Sequence, residues 1–459
     1  MVTPMSRSRH RPRAVRVAAA AAAAEIPLAT RRQQPVPAAA EAAEASVPGH
    51  FLCPISLEMM RDPVTAPTGI TYDRDNVEGW LDRGHATCPV TGRPLRAEDL
   101  IPNHATRRMI QEWCVANRAL GVERVPTPRV PVSAADAAEL LAAAPAAARR
   151  GDAPACRQAA AKARALAKES DRNRRCLAAA GAARSLSTAF FHLVVDRRPA
   201  LATAAGGALE EILASLVLFF PLDEESRRHI ASPASLDVVV SIMSRGETTA
   251  RASAAVVLRE VASSSDARCL DAMSTAAGIH GALVRLLEKP VSPQATKAAL
   301  VTAYYLVAHT RCAAARLVEL GMVELLLEML VDADKGTVEK ALAVLDSLLL
   351  TEEGRGKACA HALAVPVLVK KMQHVSDMAT EFAVSALWRL CKDFSGEGPC
   401  KAEALQVGAF QKLLLLLQVG CMGVTKERAS ELLRLLNGSR EGVECIESVD
   451  FKGLKRPFS

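Results

Sequence analysis

The sequence predicts a mainly α-helical chain in which a small mixed α+β unit is followed by a long α-solenoid. Three observations carry this reading. Half of the 459 residues are hydrophobic and only 3% are aromatic, with Ala and Leu dominant over Val, Ile and Thr, a balance that favours helices. Pro and Gly punctuate the chain at Val47-Pro48-Gly49 and again from Pro126 to Pro131, which isolates one compact stretch between them. Beyond Pro131 one apolar helical pattern recurs every 40 to 47 residues or so. A chain of this length is too long for one ordinary core, so separate folded units are expected.

Residues 1–46 come first, with seven arginines against three glutamates and long runs of Ala and Pro. Ala and Pro without a sustained apolar face bury nothing, so a disordered Arg/Ala/Pro-rich tail is expected. A transit peptide or secretory signal would share the basic, acid-poor character and is the weaker reading. The tail holds more than half of the formal charge of +7, whereas residues 49–121 balance eight arginines with nine acids. Clustered Lys and Arg with interleaved aromatics are not evident, so a nucleic-acid partner is not expected. Twelve scattered cysteines without any C-x-x-C pair fit reduced thiols in a cytoplasmic or nuclear compartment. No apolar run reaches the ~20 residues of a transmembrane segment.

The small unit, residues 47–121, opens with FLCPISLEMMRDPV. It begins like half of a zinc knuckle, but Ser56 stands where a second cysteine would be, and CPVTG repeats the substitution with Thr91. The available ligands here are His50, Cys53, His85, Cys88, His104 and Cys114, of which only His85 and Cys88 have pair spacing. Six candidates cannot fill two four-ligand sites, so neither zinc nor any other cofactor is expected. A structural zinc contributes on the order of 10 kcal/mol, against ~1 kcal/mol for one net hydrogen bond. Hydrogen bonds and an apolar core must therefore act together. Ser56, Thr91 and Asn103 suit the bridging of loops, Asp62, Arg74 and Asp75 suit charge-assisted bonds, and Val64, Ile70, Leu81, Leu95, Leu100, Ile101 and Ile110 suit the core.

Local signals define the elements. DPVTAPTGITYD reads as two short strands about a Pro-Thr-Gly turn. Asp73 is placed to cap a helix running through WLDRG, with Gly84 past its end. Asn103 is placed to cap ATRRMIQEWCVAN, in which Ile110 and Trp113 share a face. Residues 122–132 read as a linker.

From residue 133 to 459 the chain repeats itself. GIHGALVRLLEK at 278, GMVELLLEML at 321, HALAVPVLVKKM at 361 and VGAFQKLLLLLQ at 407 share a small residue followed by leucines at helical spacing. Each precedes a longer helix, such as SDMATEFAVSALWRLCKDFSG. The period is that of armadillo or HEAT layers, which hide their apolar faces by stacking, and six or seven repeats fit the length. FKGLKRPFS reads as a short polar end. Such a solenoid serves as a protein-binding groove or as a spacer.

The stretch from FLCPISLEMMRDPV through PNHATRRMIQEW closely resembles the U-box, the zinc-free RING-like fold of ubiquitin ligases. Joined to armadillo repeats, it is similar to the plant U-box and armadillo ligases, many of which act in immune and stress signalling. The resemblance implies a docking surface for a ubiquitin-charged conjugating enzyme, with Ile55 and Leu57 on the first loop, Trp80 on the helix and Pro89 on the second loop. Val64 supports the first loop from below, and Cys53, Ser56, Cys88, Thr91 and Asn103 have structural roles. It further implies ubiquitin transfer to lysines of a substrate held by the repeats, with no catalytic residue on the ligase. Some family members carry Arg or Lys just after the second-loop Thr, where it contacts donor ubiquitin; here that position is Gly92, followed by Arg93. Cys53 and Cys88 both precede Pro and lack a neighbouring His and acid pair, which argues against a thioester-forming nucleophile. Two other readings stand beside the ligase. One is a non-catalytic armadillo scaffold. The other is a nuclear import receptor, which would need a Trp and Asn four apart on successive helices, whereas Trp388 is followed by Lys392.

Overall fold

The computed structural model describes residues 47–123, 125, 131–195, 202–373, 375–392, 399–421 and 423–438. The tail expected at 1–46 and the polar end expected at 451–459 lie outside the described residues. The chain divides after Pro128 into two compact units.

In the first unit, β1 (Pro63–Thr65) and β2 (Thr71–Asp73) form an antiparallel hairpin with Val64 opposite Tyr72. The turn between them closes with Gly69 N–H donating to the Ala66 carbonyl at 2.8 Å, and Gly69 has φ +81°. β3 (Ile101–Pro102) pairs with the other side of β1, giving the order β2-β1-β3. Helix α1 (Arg74–Asp82) follows β2 directly, and α2 (His104–Ala116) follows β3.

Val64, Leu95, Leu100 and Ile110 are buried as expected, together with Phe51, Met60, Tyr72, Val77 and Cys114. Each large side chain contributes about 1.5–3 kcal/mol on burial. A handful therefore matches what a structural zinc would supply. Ile70 and Leu81 pack at the margin of this core. Ile101 departs from expectation at 68% exposed, because it sits on the two-residue edge strand and not beneath the sheet. The linker expected at 122–132 begins late: Val122 packs against the first unit's core and Val125 is buried in it.

Asp73 occupies the N-cap position of α1 but does not cap it. Its carboxylate instead accepts from the N–H groups of Arg61 (3.1 Å) and Asp62 (2.7 Å). Burial raises its pKa above the ordinary carboxylate value. Asn103 does cap α2, accepting from Thr106 N–H at 2.9 Å, while its amide donates back to the hairpin at Thr65 (3.1 Å) and Thr71 (3.5 Å). One side chain thus ties the second helix to both strands.

The second unit is a helical solenoid. Its long inner helices begin at Ala153, Ala202, Thr248, Pro293, Lys335, Asp377 and Gly423, 42 to 49 residues apart, and each packs on the next. Among the described residues this gives six three-helix layers after one two-helix layer, Ala134–Arg149 with Ala153–Glu169. The small residue of the repeat has a conformational reason. Gly278, Gly321 and Gly408 precede the middle helix of their layers at φ +76°, +81° and +80°, the left-handed region that glycine enters without steric cost. In the layer that contains HALAVP, Leu363 takes that position at φ −88°, so this layer makes the turn without a glycine. Most leucines behind each glycine join one continuous core, while Leu414 and Leu415 after Gly408 are exposed. Among the described residues no single helix is long and apolar enough to cross a membrane.

Candidate functional site

The two half-knuckles of the sequence fold into the same backbone frame. In the first, Cys53 N–H donates to the Glu58 carbonyl (2.8 Å) and Leu57 N–H to the Cys53 carbonyl (2.8 Å). In the second, Cys88 N–H donates to the Arg93 carbonyl (2.7 Å) and Gly92 N–H to the Cys88 carbonyl (2.9 Å). The bridges Leu52↔Met59 and Thr87↔Pro94 close the two loops. LCPISLEM and TCPVTGRP are therefore equivalent, pairing Pro54 with Pro89, Ile55 with Val90, Ser56 with Thr91 and Leu57 with Gly92.

Hydrogen bonds surround the sulfurs and hydroxyls where metal would sit in a knuckle. Cys53 Sγ accepts from Asp73 N–H at 3.3 Å. Ser56 Oγ accepts from Glu58 N–H (3.3 Å) and from the Asn76 amide (3.0 Å), which fastens the first loop to α1. Cys88 Sγ lies 3.0 Å from the Tyr72 hydroxyl and 3.5 Å from that of Thr68. Burial pushes the Cys88 thiol up, but hydrogen bonds from Thr91, Tyr72 and Thr68 outweigh it and bring the group down to about 6. Burial, together with the bond to Cys88, drives Tyr72 well above its ordinary range. Cys88 is only 1% exposed, and Cys53 is fully buried, so neither sulfur is open to an incoming thioester. Among the described residues no group of three or more His, Cys, Asp or Glu side chains is arranged to hold a metal ion.

An ion cluster joins the start of β1 to both helices. Asp62 accepts from Arg74 Nε at 2.8 Å and is paired with Arg107 of α2, so Asp62 and Arg74 act as the sequence suggests while Asp75 stays exposed. Arg107 was not singled out in the sequence. Its distance of 45 positions from Asp62 leaves no local signal.

Each loop exposes an apolar residue. Leu57 is 74% exposed and adopts φ +58°, while Val90 on the second loop is 55% exposed. Pro89 is half-buried, and so is Ile55, which packs in part against the core. Trp80 is not a core residue. Its ring stacks on His85 with centroids 4.0 Å apart and planes 20° from parallel, and its Nε1–H donates to the Thr87 carbonyl at 2.8 Å. Trp80 is thereby held to the second loop. Val90 was missed in the sequence, although the pairing of CPIS with CPVT points to it as the partner of Ile55, and His85, weighed there only as a metal ligand, instead stacks on Trp80.

In the solenoid, polar side chains link successive inner helices. Asp346 accepts from Ser385 (2.6 Å) and Arg389 (2.9 Å), and Arg428 in turn donates to Ser385 (2.7 Å). Trp388 donates to Glu431 at 2.9 Å, with the Lys392 ammonium 4.3 Å from its ring centroid. These two helices thus present an aromatic surface framed by charges of both signs.

The U-box family model matches residues 47–119, and the model for the plant U-box protein armadillo repeat region matches residues 137–455. The chain belongs to the plant U-box ligases with armadillo repeats. It is 37% identical to U-box domain-containing protein 21 of Arabidopsis thaliana over 92% of this chain and 95% of that one. It is 34% identical to E3 ubiquitin-protein ligase PUB23 of the same plant over 85% and 93%. Among solved structures it is similar to a designed armadillo repeat protein, with 20% identity and a TM-score of 0.43 over 50% of this chain and 94% of that one. By the two family matches the fold is a zinc-free, RING-like U-box followed by an armadillo solenoid, and the protein is a ubiquitin transferase of the RING type.

Proposed function

We propose that this U-box ligase docks a ubiquitin-charged conjugating enzyme on the face formed by Ile55, Leu57, Trp80, Pro89 and Val90. The observation that carries the reading is the exposed pair Leu57 and Val90, one from each loop, beside a tryptophan fastened outside the core. Small apolar contacts around an aromatic anchor are the usual composition of an interface centre. The buried state of Cys53 and Cys88 favours direct passage of ubiquitin from the conjugating enzyme to a substrate lysine, without an intermediate on the ligase. Catalysis then consists of positioning, which supplies on the order of 7–11 kcal/mol in favourable cases. The armadillo groove is the proposed substrate site, and the resemblance to plant U-box and armadillo ligases supports a role in defence or stress signalling. Eleven free cysteines among the described residues are consistent with a cytoplasmic or nuclear protein.

A reconstituted ubiquitination assay tests the docking face. Ile55→Ala, Leu57→Ala, Trp80→Ala and Val90→Ala are each expected to lower chain formation at least tenfold, and a zinc chelator is expected to leave the wild type unchanged. Full activity in all four variants would remove the docking assignment. Gly92 in place of a basic residue is the one feature favouring a non-catalytic scaffold. Discharge of a conjugating enzyme's thioester to free lysine separates the two readings, since a scaffold would not accelerate it, and Arg93→Ala reports whether the next residue contributes.

A further inference from the structure

The first helices of the last two armadillo layers, Glu352–Cys359 and Pro399–Gln406, bring two thiols together. Cys359 Sγ and Cys400 Sγ lie 2.9 Å apart, 41 positions apart in sequence, and both are free. The two differ in access: Cys359 is half-buried, whereas Cys400 is 2% exposed. Closing the gap to the ~2.05 Å of a disulfide requires about 0.9 Å of movement, within the reach of side-chain rotation at helix ends. The third thiol of the neighbourhood, Cys391, is fully buried on the helix Asp377–Lys392.

We propose that Cys359 and Cys400 form a reversible oxidative modification site, in which a hydroperoxide converts the pair into a disulfide joining two successive armadillo layers. Cys359 is the attacking sulfur. Its thiolate displaces hydroxide from hydrogen peroxide, so that an S–O bond forms, the O–O bond breaks, and Cys359 becomes a sulfenic acid. Cys400 then attacks the Cys359 sulfur, the S–S bond forms, the S–O bond breaks, and the hydroxyl leaves as water with the Cys400 proton. Overall two thiols lose two electrons and two protons, and one peroxide is reduced to two waters. A dithiol returns the site to its starting state by exchange.

Electrostatics assign the same order. The hydrogen bond donated by Cys400 holds the Cys359 thiol below its ordinary value against the opposing effect of burial, and the Arg355 guanidinium adds to it. The same bond, with burial, drives Cys400 up, so it remains the proton-bearing partner. Burial pushes Cys391 up to about 12, which keeps it an inert thiol. A low-pKa, accessible thiol beside a resolving one is the arrangement found in redox-sensing proteins of reducing compartments, where disulfides are transient.

The full-length protein is to be treated with graded hydrogen peroxide, its remaining thiols blocked, and its peptides mapped by mass spectrometry with and without dithiothreitol. The expected result is a cross-linked peptide joining Cys359 to Cys400, lighter by two hydrogens and lost on reduction, at doses that leave the exposed Cys312 uncross-linked. Oxidation is also expected to raise the Tm of the armadillo unit reversibly. Cys359→Ser and Cys400→Ser should each abolish the cross-link and the shift, and Cys391→Ser should preserve both. The mapping of the wild type stands even if a variant folds poorly. Recovery of Cys359 as sulfinic acid with Cys400 still reduced, a bond between Cys400 and Cys391, or no cross-link at any dose would each overturn the proposal.

Discussion

Leu57 and Gly92 hold the same station in two equivalent loops, and both lie in the left-handed region of backbone space, at φ +58° and +68°. For glycine this conformation is free of steric cost, whereas for leucine it costs roughly 1 kcal/mol or more. A leucine kept there at 74% exposure gains little from burial to offset that cost. Burial in the fold does not explain its side chain, which is the ground for its place on the proposed docking face.

Stability and activity are expected to separate at this residue. Leu57→Gly relieves the backbone and removes little buried surface, so unfolding free energy should stay unchanged or rise by up to ~1 kcal/mol. Ligase activity should fall at least tenfold in the same variant. Denaturant unfolding and a ubiquitination assay on one preparation check both halves, and parallel losses would mean that Leu57 serves the fold.

Asn103 should behave in the opposite way. Asn103→Ala removes the α2 cap and both amide bonds to the hairpin, a loss of about 2 kcal/mol. Asn103→Asp keeps a competent cap acceptor but has no donor for Thr65, so it should lose about half as much. Hydrogen exchange of the U-box amides measures the order wild type, Asp, Ala. An Asp variant as stable as the wild type would show that the bonds to the hairpin carry nothing, and equal values for the two variants would show the same of the cap.

Cys88 makes the U-box sensitive to pH in a defined window. Its folded pKa of about 6 lies below the ordinary thiol value of 9.0, so the unfolded chain binds more protons between those limits. The contribution to stability is fully present above the unfolded value and is lost as pH falls through about 6. Three units correspond to ~4 kcal/mol at most. Unfolding midpoints between pH 6 and 9 should climb in the wild type, and the slope should flatten in Cys88→Ser. Identical slopes would place the thiol at its ordinary value.

Much of the molecule was legible from composition and spacing. The glycine-then-leucine register of the armadillo layers, the hairpin, and the Asn103 cap all rest on local chemistry that the sequence displays. Asp73 misled for a physical reason: the free N–H groups of Arg61 and Asp62 compete for its carboxylate with the helix it precedes. Ile101 misled because hydrophobicity alone does not distinguish an edge strand from a core strand. The positive φ of Leu57 has no sequence signature, and the pairing of Arg107 with Asp62 depends on folding. Val90 is legible in the pairing of CPIS with CPVT, which sets it in register with Ile55 as it sets Thr91 in register with Ser56.

Trp80 is fixed at both its ring face and its indole N–H, by His85 and by the Thr87 carbonyl. A free tryptophan on a helix would surrender rotamer entropy on association, about 0.5–1.5 kcal/mol for an immobilised side chain. Here that ordering is complete before any encounter. On the proposed docking face a conjugating enzyme would thus find the largest group already ordered, and less of the binding free energy would go to immobilising it.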